Sequence, residues 1–106
     1  MNILKTTVSK NFRLAAIMLL CSTAFSLAAD AQVGEAIYAN HCAECHGEGL
    51  RNPGSSFDLK LLKEHERERF NASVSGGKGQ MPPWKGVLND DDLDALWAYI
   101  RMNAYD

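Results

Sequence analysis

The residues that could do chemistry stand together at Cys42-Ala43-Glu44-Cys45-His46. Two thiols three residues apart can add to two vinyl groups on one side of a porphyrin. The next residue then lies under the ring, where Nε2 of His46 can bind an iron. C-x-x-C-H is the attachment pattern of c-type haem for this reason. Rival chemistries need more than the sequence offers. A structural zinc site wants four ligands, and the other histidines, His41 and His65, stand at no zinc-binding spacing. A thioredoxin-like redox pair wants a βαβ setting, which the sequence does not suggest. A disulfide between Cys42 and Cys45 would close too small a loop to stabilise much.

The elements that must position this motif read as helices and loops. Gln32 to Asn40 forms a short helix leading into the cysteines. A loop follows, marked by Gly47, Gly49, Pro53 and Gly54. Lys60 to Val74 is helix-compatible, rich in Glu and Arg with no Gly or Pro, and Gly76-Gly77-Lys78-Gly79 stops it. Met81-Pro82-Pro83-Trp84 cannot be interior helix, because proline lacks the N–H and restricts its predecessor. In the last segment Asn89 is a good N-cap, and Asp90, Asp91 and Asp92 load the first turn where the helix dipole favours anions. Leu93, Leu96, Trp97 and Ile100 then fall at i, i+3, i+4 and i+7. No stretch alternates with the two-residue period of a strand. The predicted class is all-α with long loops.

The chain start is of another kind. Lys5, Lys10 and Arg13 precede an apolar run from Leu14 to Ala29, and small residues with A-x-A spacing follow at Ala29-Asp30-Ala31. A basic region, an apolar region and a small-residue site describe a secretory signal peptide. The expected division is a cleaved leader over 1–31 and one domain over 32–106, with cleavage after Ala28 as the competitor. The run is shorter than the roughly 20 residues a spanning helix wants, so no stable membrane insertion is expected after cleavage. Removing 1–31 takes away Lys5, Lys10, Arg13, Cys21 and Asp30. That leaves eight Lys and Arg against twelve Asp and Glu, a formal charge of −4. This argues against nucleic acid, whose binding needs clustered cations. A domain of about 75 residues builds a lean core and usually needs a staple, which a large buried cofactor would supply.

With these residues in view, the sequence resembles a small class I c-type cytochrome of the bacterial periplasmic kind. The resemblance covers essentially the whole predicted domain. It rests on Gly34 and Tyr38 in the first helix, Cys42 to Gly47, a proline in the following loop, Gly79 to Pro82, and Leu96 to Ile100 in the final helix. It implies a cytochrome c fold, a few helices wrapped around one haem c bound through Cys42 and Cys45. It implies Met81 as the second axial ligand beside His46, and Pro53 as the loop proline whose carbonyl accepts from the Nδ1–H of His46. The terminal helices should cross, bringing Gly34 and Tyr38 to Leu96 and Tyr99. Trp84 is a candidate partner for a haem propionate, with a plain core tryptophan as the alternative. Met81 follows His46 by 35 residues, enough chain to wrap a ring edge. The rival ligands are Met102, near the end of the last helix, and His65, inside a charged run. His41 adjoins Cys42 and should not reach the far side of the ring.

Iron held by His and Met has no vacant position for substrate, and the thioether raises the potential relative to bis-histidine ligation. The expectation is therefore a monomeric periplasmic electron carrier and not an enzyme. The alternative is a ligand-binding haem sensor or enzyme with a labile sixth ligand. Phe57-Asp58-Leu59, the charged stretch after it, and Met81-Pro82-Pro83-Trp84 resemble small cytochromes that accept electrons from quinoprotein alcohol dehydrogenases. That makes such a periplasmic dehydrogenase the expected donor, and a respiratory oxidase the expected acceptor.

Overall fold

A computed structural model of the chain describes residues 28–105. The predicted leader up to residue 27, with Cys21, lies outside them. Among the described residues there are four α-helices and no strand: α1 over 28–41, α2 at Ala43–His46, α3 at Arg67–Gly76 and α4 at Asp90–Asn103. None is long and apolar enough to cross a membrane. Short 3-10 turns at Glu48–Leu50, Leu59–Leu61 and Glu64–Glu66 bend the connections.

The predicted first helix is longer than its sequence signal. Its described part starts at Ala28, and Ala31, Gly34 and Tyr38 form its buried stripe. Glycine in a helix interior costs roughly 0.5–1 kcal/mol relative to alanine, so Gly34 needs a reason. A Cβ there would lie 1.9 Å from the Ala95 carbonyl oxygen and 2.9 Å from Tyr99 Cβ. The partner of Gly34 is thus Ala95 with Tyr99, one residue from the expected Leu96. The Tyr38 and Tyr99 rings extend the crossing, with centroids 5.5 Å apart. Gly34→Ala should cost about 3 kcal/mol or more, because the overlap is with backbone that cannot repack. The melting temperature of the haem-loaded protein is expected to fall by more than about 10 °C; an unchanged value would mean the helices do not cross here.

The final helix forms as its sequence predicts. Asn89 Oδ1 accepts from Asp92 N–H at 2.8 Å, and Asp92 Oδ2 accepts from Asn89 N–H at 2.9 Å, a reciprocal cap. Leu93, Leu96, Trp97 and Ile100 are buried, joined by Ala95 and Tyr99. The Phe70 ring of α3 lies 5.3 Å from the Trp97 ring, and Arg67 pairs with Asp94 at the edge of the same contact.

The helix-compatible stretch from Lys60 does not form one helix. Leu62 and Lys63 are extended, and α3 starts only at Arg67. Asp58 Oδ1 caps the first short turn through Lys60 N–H at 3.0 Å, and Glu66 Oε2 caps the second through Lys63 N–H at 2.8 Å. The C-terminal end fastens the break from outside: Arg101 Nη1 donates to the Leu62 carbonyl at 2.7 Å and Tyr105 N–H to that of Lys60 at 2.9 Å. Extended backbone at Leu62 turns its side chain into the core, where it is buried. The expected stop at the glycines holds, with α3 ending at Gly76 and Gly77 in the left-handed region.

Candidate cofactor site

The C-x-x-C-H segment sits on α2, a single turn continuous with α1. Cys42 N–H donates to the Tyr38 carbonyl at 2.9 Å and His46 N–H to that of Cys42 at 3.0 Å. The chain must then leave sharply. Gly47 has φ +95, and a Cβ there would stand 1.7 Å from the Arg51 carbonyl oxygen, so only glycine fits. The Tyr38 hydroxyl donates to the Gly47 carbonyl, and Ser56 Oγ to that of Cys45 at 2.8 Å. Burial first, then the nearby Cys42 and Tyr99 groups, push the Tyr38 phenol up to about 12, so it remains a donor. Burial, with Cys45 beside it, pushes the Cys42 thiol up to about 11.

His46 Nδ1 lies 3.2 Å from the carbonyl oxygen of Phe57. A carbonyl only accepts, so Nδ1 carries the proton and the Nε2 lone pair is left for a metal. This corrects the expectation for Pro53. Pro53 is exposed and off the cavity wall, its ring packed near Gly47 instead. The loop runs four residues further before a carbonyl meets the imidazole.

Met81 is positioned by its own loop. Lys78 and Met81 exchange both backbone hydrogen bonds at 3.0 Å. A Cβ on Gly77, at φ +77, would come within 2.8 Å of the Met81 carbonyl oxygen and 3.0 Å of Pro83 N. Glycine there lets the Met-Pro-Pro backbone lie against the end of α3. Trp84 N–H donates to the Val74 carbonyl at 2.8 Å, and Lys85 N–H to that of Ser75 at 3.2 Å.

These pieces surround one cavity of about 870 Å³. Cys42, Cys45 and His46 line it from the attachment turn, and Met81, Pro82 and Trp84 from the loop after α3. Leu59, Leu62, Phe70, Val74, Leu96 and Ile100 supply an apolar wall. The volume is in the upper part of the roughly 300–1,000 Å³ range of cofactor pockets. Two thiols, a histidine with a free Nε2, a thioether and an apolar wall fit a covalently attached haem. The rival ligands are elsewhere: Met102 is 64 % exposed, and His65 is exposed on its turn. Sequence reasoning missed three members of the site. Phe57 supplies a carbonyl, which any residue has. Arg69 joins the wall from α3, beside Phe70 in sequence. His41, which was expected to be clear of the ring's far side, is on the wall with its ring 5.1 Å from that of Trp84.

A helical body with C-x-x-C-H on the wall of one apolar cavity defines a c-type cytochrome. Residues 29–100 match the family described as Cytochrome C oxidase, cbb3-type, subunit III. The chain is 37 % identical over 84 residues to cytochrome c6 of Synechocystis, covering 74 % of this chain and 70 % of that protein. It is 31 % identical over 83 residues to cytochrome c6 of Tetradesmus obliquus, covering 72 % and 93 %. No solved structure gives a significant match. The chain belongs to the small class I c-type cytochromes. It is an electron-transfer protein and not an enzyme, and Cys42 and Cys45 bind its haem c covalently.

Proposed function

We propose that the protein is a periplasmic electron carrier with His46 and Met81 as axial ligands. It would accept electrons from a periplasmic dehydrogenase, specifically a quinoprotein alcohol dehydrogenase, and pass them to a respiratory oxidase. The observation that carries this reading is that one and the same cavity receives both His46, with Nε2 free, and Met81. The bound haem supplies one-electron Fe(II)/Fe(III) chemistry. The chain's own residues tune and shelter it: Phe57 fixes the His46 tautomer, the wall excludes water, and Arg69 and Lys78 are cations on that wall suited to porphyrin carboxylates. The matched family's description names an oxidase subunit, which supports the acceptor side. In this reading export removes the leader. Cleavage before Gln32 would discard Ala31, buried at 4 % exposure in α1, whereas cleavage after Ala28 would keep it; N-terminal sequencing of the exported protein distinguishes them.

The partner should dock at a basic rim on an acidic protein. Lys78 and Lys85 are exposed on either side of Met81, while Asp90, Asp91, Asp92 and Asp94 gather at the start of α4. Complementary charge steers encounter and raises its rate. Lys78→Glu and Lys85→Glu should each slow reduction by a quinoprotein alcohol dehydrogenase about three- to tenfold at low salt. The deficit should shrink as screening shortens to about 8 Å or less. Asp91→Lys should matter much less. Wild-type rates in both lysine variants, with a slow Asp91→Lys, would place docking on the acidic face. A wild-type protein that this donor does not reduce would remove it as the partner.

A further inference from the structure

The segments that carry His46 and Met81 are held separately. Backbone hydrogen bonds tie the attachment turn to α1, through Tyr38 and Cys42, and the loop after α3 to Val74 and Ser75. Among the described residues, none joins the attachment turn to that loop. What spans the gap is a pair of rings. His41 is the last residue of α1, immediately before Cys42. Its ring centroid is 5.1 Å from that of Trp84, three residues after Met81, with the planes tilted by 57°. This is the separation and tilt of a favourable aromatic pair. Both side chains line the cavity. Trp84 is well anchored for its part: besides the bond to Val74, its carbonyl accepts from Val87 and Leu88 N–H, each at 3.0 Å.

We propose that His41 and Trp84 form a clasp that closes the cavity between the attachment turn and the Met81 loop, making His41 a positioning residue for Met81. This rests on Met81 being the sixth ligand. The clasp acts on the loop rather than on the iron. With the rings stacked, the loop is held at both ends, by α3 and by the end of α1. Without the stack, only the α3 attachments and core packing remain, and the loop swings out more often, carrying Met81 with it. A tilted aromatic pair of this strength biases such a two-position equilibrium by about three- to tenfold. The bland alternative is an exposed histidine that happens to lie on a tryptophan.

Carbon monoxide separates the two, since it binds the reduced protein only when Met81 has left. His41 is exposed, so substitution there should leave the haem-loaded protein folded. His41→Ala should raise the rate of carbon monoxide binding about three- to tenfold, and the near-infrared sulfur-to-iron band of the oxidised form should fade at lower temperature on warming. His41→Phe, which keeps a ring for Trp84, should restore both readouts. A wild-type rate in His41→Ala would overturn the proposal, as would a rate equally fast in His41→Phe, because the ring would then not be the cause. If wild-type protein itself lacks the band and binds carbon monoxide freely, the Met81 reading has failed and the clasp falls with it. That outcome is visible before any variant is made.

Discussion

Met81→Ala is expected to abolish the near-infrared sulfur-to-iron band of the oxidised protein, lower the reduction potential and open the reduced iron to carbon monoxide. The thioether stabilises Fe(II) over Fe(III), and axial ligation spans about 0.8 V across haem proteins, so a fall on the order of 0.1–0.2 V is expected. The change should be specific to this side chain. Its backbone is held by paired hydrogen bonds to Lys78, and Gly77 keeps the loop against α3, so alanine leaves the loop path intact while removing the sulfur. Carbon monoxide binding, negligible in the wild type, should then be limited by diffusion through the cavity mouth. Met102→Ala is the control: at 64 % exposure and off the cavity wall, it should change none of the three readouts. If Met102→Ala abolishes the band and Met81→Ala does not, the methionines have been assigned the wrong way round.

What was legible in the sequence was chiefly what is local. Cys42, Cys45 and His46 are contiguous enough for their geometry to follow from one helical turn. The final helix announces itself through Asn89, three aspartates and apolar residues at helical spacing, all within 12 residues. The interruption at Leu62-Lys63 was not legible, because its causes are distant. Arg101 reaches Leu62 from 39 positions away, and Tyr105 closes on Lys60. Nothing within Lys60 to Val74 opposes a continuous helix; tertiary bonds and the burial of Leu62 override propensity. The carbonyl facing His46 was misplaced for a related reason. Every residue carries a carbonyl, so the loop's path decides which one meets the imidazole, and that path passes Pro53 and arrives at Phe57. His41 shows the converse. Its place beside Cys42 was plain, but the contact with Trp84 depends on how the Met81 loop returns.

The cavity itself predicts how the chain behaves without its cofactor. Cys42→Ala combined with Cys45→Ala should yield a colourless protein with no cooperative thermal transition and reduced helical circular dichroism. A void costs about 24 cal/mol per Å³ when its walls cannot collapse. The cavity here is about 870 Å³, and domains are stable by only roughly 5–15 kcal/mol in all. The cavity is partly open, so water would relieve some of this, yet Phe70, Val74, Leu96 and Ile100 would still face water or each other in place of a planar apolar partner. Those four residues belong to the same buried cluster that holds α3 to α4, so emptying the cavity removes one side of the core. The loss should be uneven. The crossing of α1 and α4 at Gly34, with Tyr38 against Tyr99, packs helix on helix and should retain residual helicity. The Met81 loop and the 59–66 segment, which close around the cavity, should be lost first. Hydrogen exchange on the double variant would show this order as protection surviving only in α1 and α4. Cooperative melting of the haem-free double variant near the wild-type temperature would mean that the core stands without its cofactor, and that the haem here is an active group but not a structural one.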